Sequence, residues 1–259
     1  MLAMSAWLLS VITRDYSWVD RLWPICPALY CLLVASDNDF GSARMNLMTA
    51  LVFVWGARLT FNFARKGGFQ KGGEDYRWVV VQQKLDPVAF QLLNVSFFAL
   101  GQMLLVWLFT SPVHQAWLWR QAPLNWVDAV ATVLFLVLLA GETIADEQMW
   151  RFQQDKKQRI AYGQDIETPF ITTGLFCYCR HPNYFCEIAM WWVFYLFAVA
   201  ASGQWLHWTG LGCVLLTLQF IPSARLTESI SASKYPTYRN YQASTPAIFP
   251  LPRIGTRSR

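Results

Sequence analysis

The sequence has few charged residues. Asp, Glu, Lys and Arg make up 14% of its 259 residues, against roughly 25% in an ordinary soluble domain. Hydrophobic residues make up 55% and aromatic residues 16%. This composition excludes an ordinary soluble domain and indicates that lipid surrounds much of the chain. The net charge of +5 follows from the basic loops described below, so we predict no nucleic-acid partner.

Several familiar signatures are also missing. No Gly-x-Gly-x-x-Gly joins a strand to a helix, and the glycine pairs at 67–68 and 72–73 lack the Ser or Thr of a P-loop. Cys177 and Cys179 lie beside His181 but lack the spacing of a four-ligand zinc site, so no metal is predicted. The chain has no repeat and no linker, and we therefore predict one domain over residues 1–259.

The apolar residues are gathered into runs close to the ~20 residues that a helix needs to cross a bilayer. The first run covers only part of a bilayer, and a signal peptide is the alternative for it. The pattern predicts an all-α fold, a polytopic membrane protein with seven transmembrane helices. These spans lie near residues 1–13, 17–36, 45–64, 88–111, 126–149, 183–202 and 205–223.

The basic residues predict an orientation. Segments 65–88, 149–182 and 223–259 carry 16 of the 21 Lys and Arg residues, and seven spans would place all three segments on one side. Cytoplasmic loops are enriched in Lys and Arg. We therefore predict an N-terminus outside the cell and a cytosolic C-terminus.

Charges within spans are costly, about 2.5–3.5 kcal/mol each on insertion scales, and are functional candidates by default. Asp20 lies near the cytosolic end of the second span with Arg21 beside it, where an interfacial ion pair is the alternative. Arg58 lies deep in the third span, on one helix face with Trp55 and Asn62. Its guanidinium suits a phosphate or carboxylate, and a structural ion pair is the alternative.

Further polar residues gather towards the C-terminal half. Glu142 and Asp146 are four residues apart on the fifth span, where they would accept hydrogen bonds from a ribose or adenine; pairing with nearby basic residues is the alternative. Pro182 favours a helix start, whose free N–H groups attract anionic groups. Asn183 and Glu187 follow it on one face, and helix capping is the simpler interpretation, although it leaves Glu187 unexplained.

The stretch Gly174-Leu-Phe-x-Tyr-x-Arg-His-Pro-Asn-Tyr-x-x-Glu187, with Tyr-x-x-Tyr-Gln and Phe-Pro between Tyr238 and Pro250, resembles the C-terminal region of the steroid 5α-reductase superfamily in a bacterial branch. Weaker matches at Asp20-Arg-Leu-Trp, Trp55-Gly-x-Arg58 and residues 73–77 extend the resemblance over most of the chain. Sterol reductases and isoprenylcysteine methyltransferases share the Arg-His-Pro-x-Tyr part.

The resemblance implies NADPH-dependent reduction of the Δ4 double bond of a 3-oxo-steroid or similar lipophilic enone that enters from the bilayer lipid. It implies hydride transfer to the β-carbon while an acid polarises the carbonyl. Asp20 and Trp55 take the places of the family's Glu and Tyr. Asp20 can donate if an apolar pocket raises its pKa, whereas the indole of Trp55 donates a hydrogen bond but no proton. Tyr16 and Tyr76 are candidates to supply the missing phenol.

The resemblance also implies the residues that hold the cofactor. We expect contributions from three spans, from the basic segment before the Gly-Leu-Phe turn, from the Arg-His-Pro motif and from the tail. Those residues are Arg58, Asn62, Glu142, Asp146, Lys157, Arg159, Arg180, His181, Asn183, Glu187, Arg225 and Glu228.

Two other functions fit the sequence. The first is an S-adenosylmethionine-dependent methyltransferase of the isoprenylcysteine methyltransferase type, because that class shares the Arg-His-Pro-x-Tyr part. The second is a membrane protein that binds lipid without catalysis. For the reductase the bacterial resemblance implies a multi-pass protein of the inner membrane.

Overall fold

The computed structural model describes residues 2–70, 72–166 and 168–251, with the side chains of residues 76 and 77 left out. Over these residues the chain forms helices and no β-strand, as the apolar periodicity predicts. The α-helices are α1 Leu2–Thr13, α2 Trp18–Leu22, α3 Cys26–Ser36, α4 Ala43–Arg65, α5 Tyr76–Gln82, α6 Pro87–Leu93, α7 Gln102–Thr110, α8 Pro112–Leu118, α9 Trp126–Ala161, α10 Pro182–Ser202, α11 Gly210–Lys234 and α12 Tyr238–Ser244. A π-helix, Asn94–Gly101, joins α6 to α7, and a short 3₁₀-helix occupies Gly174–Cys177.

Among the described residues, six helical stretches are long and apolar enough to cross a membrane. They are Trp18–Ser36, Ala43–Arg65, Pro87–Thr110, Trp126–Ala161, Pro182–Ser202 and Gly210–Lys234. This is the architecture of a polytopic helical membrane protein. The predicted first span is not confirmed, because α1 has 12 residues and a helix of that length rises about 18 Å, short of the ~30 Å hydrocarbon core.

Two helices extend beyond their predicted spans. Helix α9 has 36 residues and continues to Ala161, about three turns past the predicted end at 149. Helix α11 begins at Gly210 and continues to Lys234, past the predicted end at 223. In both helices the apolar run marks the part that can lie in lipid, whereas the backbone hydrogen bonds continue into a polar extension.

The chain forms two compact units. Over the described residues, the first unit comprises residues 2–135 with Trp191–Thr217, and the second unit comprises Leu136–Met190 with residues 218–251.

In the first unit, α3 packs along α4. Gly56 allows the turn just before α3 to approach α4 closely, because a Cβ at that position would lie 2.4 Å from the backbone oxygen of Pro24. The adjacent Trp55 is fully buried and packs edge-on against Trp191, with ring centroids 5.0 Å apart. Phe109 continues this aromatic core at 4.2 Å from the Trp191 ring.

In the second unit, the tail runs back over the start of α10. The backbone N–H groups of Arg180 and His181 each donate a 2.9 Å hydrogen bond, to the carbonyl oxygens of Pro246 and Ala247. The hydroxyl of Tyr241 on α12 donates to the carbonyl oxygen of Phe176. Burial raises the pKa of Tyr241, so this phenol remains a hydrogen-bond donor at neutral pH.

Candidate functional site

The first group of polar residues lies in the first unit, around the start of α2. The half-buried Asp20 accepts a 2.9 Å hydrogen bond from the indole nitrogen of Trp78. Trp78 in turn packs on Phe98 of the π-helix, at 4.3 Å between ring centroids. Tyr16, one turn before Asp20, is 9% exposed, and its ring meets Phe90 edge-on at 4.7 Å. Ring contacts thus join the surroundings of Asp20 and Tyr16.

The glycine-rich segment after α4 folds onto this group. Glu74 accepts a 2.7 Å hydrogen bond from the backbone N–H of Tyr16. Arg21 reaches the other end of the segment, where it donates to the carbonyl oxygen of Gly68 at 3.1 Å, and it also pairs with Asp15 at 2.5 Å. Burial raises the pKa of Glu74, so protons bind this carboxyl more readily than an exposed one.

The structure separates the candidates for the carbonyl donor. Trp55 lies in the aromatic core with no exposed surface, and its ring packs on Trp191. Asp20 and Tyr16 lie in the aromatic group of Trp78 and Phe98 instead. The side chain of Tyr76 lies outside the described part of the structure. Tyr16 and Asp20 are therefore the two predicted donors that the structure brings together.

The second group lies in the second unit, where α9 and α10 approach closely. A Cβ on Gly141 would lie 3.1 Å from the sulfur of Cys186. Glu142 and Glu187 follow these two residues in sequence and are 5% and 6% exposed. Asp146, one turn further along α9, is 7% exposed. Two mainly apolar helices therefore bury three carboxylates close to their point of contact.

Gly174 fixes the segment that leads into α10. It has φ +63°, in the left-handed region that favours glycine, and a Cβ there would lie 2.4 Å from the side-chain oxygen of Gln148. That same oxygen accepts a 2.9 Å hydrogen bond from the backbone N–H of Leu175. Phe176 then packs with Ala145 of α9 in a buried apolar cluster.

Arg180, His181 and Glu228, all predicted to hold the cofactor, form one network. Arg180 makes a two-point ion pair with Glu228, at 2.7 Å and 2.8 Å. The ring nitrogen Nε2 of His181 lies 3.0 Å from Glu228, and Gln242 donates to the same carboxylate at 2.9 Å. These contacts tie the start of α10 to α11 and α12. That these three residues also bind a cofactor stays a prediction.

The remaining residues that we predict to bind the cofactor differ in how far they are exposed. Asn62 of α4 is buried and accepts a 2.9 Å hydrogen bond from Arg65, whereas Arg58 and Asn183 are half-buried. The exposed residues are Lys157, Arg159 and Arg225. Arg159 makes an i,i+4 ion pair with Asp155 at 2.9 Å.

Sequence reasoning missed Lys156. Its ammonium donates to the carbonyl oxygen of Pro169 at 2.5 Å and to the hydroxyl of Tyr235 at 2.9 Å. It also lines a cleft of about 380 Å³ together with Phe152 and Thr168. The sequence holds no sign of this role, because Lys156 stands among other basic residues and Tyr235 is 79 positions away.

Sequence reasoning also missed Gln91 and Asn94. Asn94 is 2% exposed and donates hydrogen bonds to Ser10 and Gln91, at 3.0 Å and 3.3 Å, and Gln91 donates to the hydroxyl of Tyr16 at 3.2 Å. Here a signal was available: two amides three residues apart in an apolar span share a helix face and need partners.

The six candidate spans and the polar groups within them define a polytopic membrane protein with polar sites among apolar helices. A family of proteins of unknown function, DUF1295, matches residues 6–245. An uncharacterized protein of the yeast Schizosaccharomyces pombe is 36% identical over an alignment of 261 positions, which covers 94% of this chain and 75% of the yeast protein. The chain therefore belongs to the DUF1295 family. No solved structure matches it.

Proposed function

We propose that the protein is a membrane reductase that uses NADPH to reduce the Δ4 double bond of 3-oxo-steroids or similar lipophilic enones. The observation that carries this proposal is the burial of Glu142, Asp146 and Glu187 on two mainly apolar helices. Buried carboxylates are costly in a membrane protein and mark binding sites for polar ligands. A ligand with several hydroxyl and amino donors matches such a set of acceptors.

The residues present fit the nucleotide part of NADPH. Ribose hydroxyls and the adenine amino group donate hydrogen bonds, which Glu142, Asp146 and Glu187 would accept. The 21-residue helix α10 begins at Pro182, and the N-terminus of a helix attracts phosphate.

When bound, NADPH would supply the hydride that the β-carbon of the enone receives, and the α-carbon would take a proton that comes ultimately from solvent. The residues of this chain then have two tasks, to orient the enone and to polarise its carbonyl. Asp20 and Tyr16 are the groups we assign to the carbonyl oxygen. The rings of Phe90, Phe98 and Trp78 around them would exclude water from the reacting atoms.

We also propose a location. Six spans leave segments 66–86, 162–181 and 235–259 on one side, and together these carry nine Lys and Arg residues against one in the segments on the other side, so we assign that side to the cytosol. The protein would lie in a bacterial inner membrane with its C-terminus in the cytosol. Six full spans would leave α1 on the cytosolic side, whereas the predicted N-terminus outside the cell requires α1 to cross as a seventh span. Cysteine labelling of whole cells at Thr237→Cys against Gln204→Cys tests this orientation, because both positions are exposed and lie on opposite ends of α11. Labelling of the first variant by an impermeant reagent would contradict it.

Cofactor retention and turnover test the function. Purified protein in detergent should retain NADPH through gel filtration and convert testosterone or progesterone to a product heavier by two hydrogen atoms. Retention of S-adenosylhomocysteine instead would indicate the methyltransferase alternative. Binding of the enone without any reduction, across several enones, would leave lipid binding without catalysis as the function.

A further inference from the structure

A chain of polar side chains runs from Ser10 of α1 to Tyr16 in the first unit, and its members are buried except for the half-buried Gln91. Ser10 is 3% exposed, and its hydroxyl donates to the carbonyl oxygen of Trp7 at 2.7 Å. Asn94, at the first position of the π-helix, donates to Ser10 at 3.0 Å and to the side-chain oxygen of Gln91 at 3.3 Å. Gln91 donates to the hydroxyl oxygen of Tyr16 at 3.2 Å.

The hydrogen bonds along this series of side chains fix which group donates and which group accepts at each step. The side-chain oxygen of Gln91 faces Asn94, so its NH₂ group faces Tyr16. Tyr16 must therefore accept from Gln91 and cannot donate to it. Among the described residues, this is the one hydrogen bond of the Tyr16 hydroxyl, and the hydroxyl proton remains available for a further acceptor.

The residues around Tyr16 indicate what kind of acceptor would bind there. Its ring lies in an apolar cluster with Phe90 and Phe98, against which Trp78 packs. A buried hydroxyl in apolar surroundings gains most from an acceptor that brings no donor of its own into the cluster. The π-helix that carries Phe98 and Asn94 is eight residues long, and π-helical segments occur frequently at functional sites.

We infer that Gln91 and Asn94 are positioning residues, which turn the hydroxyl proton of Tyr16 towards the carbonyl oxygen of a bound lipophilic ketone. The inference rests on the proposed function and extends it by two residues. The amide N–H of Gln91 would stabilise the negative charge that develops on the phenol oxygen of Tyr16 when the Tyr16 proton is shared with the carbonyl oxygen.

Infrared spectroscopy of the bound ketone tests the inference separately from turnover. Testosterone labelled with ¹³C at its carbonyl is bound in the presence of NADP⁺, which cannot reduce it. We expect a carbonyl stretch at lower frequency than in an apolar solvent. Tyr16→Phe should return the frequency towards the apolar value and weaken binding roughly 3- to 10-fold, the ordinary contribution of one hydrogen bond. Tyr162→Phe is the matched control, because Tyr162 is 81% exposed.

Gln91→Glu tests the positioning role. A carboxylate at position 91 accepts the Tyr16 proton, so the carbonyl stretch should return towards the apolar value although Tyr16 is intact. Gln91→Met removes the donor without supplying an acceptor and should give an intermediate frequency. A purely structural role of Gln91 would change the thermal unfolding midpoint but leave the frequency of the bound ketone unchanged, and that result would overturn the positioning role.

The outcomes separate this inference from the proposed function. A lowered frequency that Tyr16→Phe abolishes, without reduction by NADPH, supports the inference and contradicts the reductase. Normal reduction with a frequency that Tyr16→Phe leaves unchanged contradicts the inference and supports the reductase. If no lipophilic enone of a panel that includes 3-oxo-Δ4 steroids binds, both the inference and the proposed function are overturned.

Discussion

Arg44 and Asp128 form a buried two-point ion pair in the first unit, with nitrogen–oxygen distances of 2.7 Å and 2.8 Å. Their side chains are 1% and 3% exposed. Arg44 also donates to the backbone carbonyl oxygens of Ala122 and Pro123, and Asp128 accepts from the backbone N–H of Asn125. The pair thus joins the first turns of α4 and α9 and the loop that precedes α9.

Breaking this pair should destabilise the protein strongly. Asp128→Asn leaves the Arg44 charge buried without its counter-charge, which costs about 3–5 kcal/mol. Thermal unfolding in detergent, followed by a thiol-reactive dye, measures the loss, because five of the six cysteines are buried.

The ion pair of Glu147 with Arg151 provides the matched control. Its side chains are 37% and 79% exposed, and exposed pairs contribute about 0–1 kcal/mol. Glu147→Gln should therefore change the unfolding midpoint little. Equal shifts for the two variants would show that burial does not control the contribution of the Arg44–Asp128 pair.

Asp20→Asn should reduce turnover of an enone far more than it reduces retention of NADPH, since we assign Asp20 to the carbonyl. Loss of one general acid typically lowers the rate by about 10²–10⁴-fold. Trp78→Phe removes the indole that donates to Asp20 and should give a smaller loss in kcat. Steady-state kinetics beside NADPH binding by fluorescence measures both. Loss of NADPH binding in Asp20→Asn would contradict the assignment.

Glu187→Gln should weaken binding of NADPH and leave the pH dependence of turnover unchanged. A buried carboxylate that accepts from ligand hydroxyls contributes about 1.5–3 kcal/mol as a charged hydrogen-bond acceptor, or roughly a 10- to 100-fold change in Kd. Asn183→Ala, at the first turn of the same helix, should act in the same direction. Gln158→Ala, at an exposed position of α9, is the control. Unchanged Kd in both variants would remove the cofactor site from α10.

Tyr235 should ionise at a lower pH than an ordinary tyrosine. The hydrogen bond from Lys156 and its positive charge lower the pKa of this phenol. Between that lowered pKa and the ordinary value near 10, the unfolded state holds more protons, so stability rises with pH; below this window the effect disappears. Subtracting the phenolate absorbance titration of the Tyr235→Phe variant from that of the unsubstituted protein isolates the titration of Tyr235. Lys156→Met should move its titration back towards the ordinary value, and an unmoved titration would contradict the proposed cause.

Gly174→Ala should destabilise the turn before α10. The residue has a positive φ, and an added Cβ would meet the side chain of Gln148. A strained conformation of this kind costs about 1–3 kcal/mol. Gly163→Ala serves as a comparison, since Gly163 has φ +67° but no atom within 4 Å of its Cβ position. If both variants unfold at the same temperature, the contact with Gln148 contributes nothing.

The membrane class and most of the spans could be predicted from the sequence, because span length and the exclusion of charge from lipid are properties of single segments. Helix periodicity also placed Glu142 and Asp146 on one face of α9, since residues four apart coincide on any helix. Six predicted spans overlap helices long enough to cross a membrane. The seventh, at 1–13, stays a prediction, because α1 has only 12 residues.

Only the tertiary structure decided which polar groups meet. Arg44 pairs with Asp128 across 84 positions, Arg180 with Glu228 across 48, and Gln91 with Tyr16 across 75. Such pairs depend on how helices pack, and the residue periodicity of one segment does not indicate which other segment will pack beside it. The same reason explains why Trp55 and Tyr16, both candidates from the sequence, lie in different aromatic groups of the folded protein.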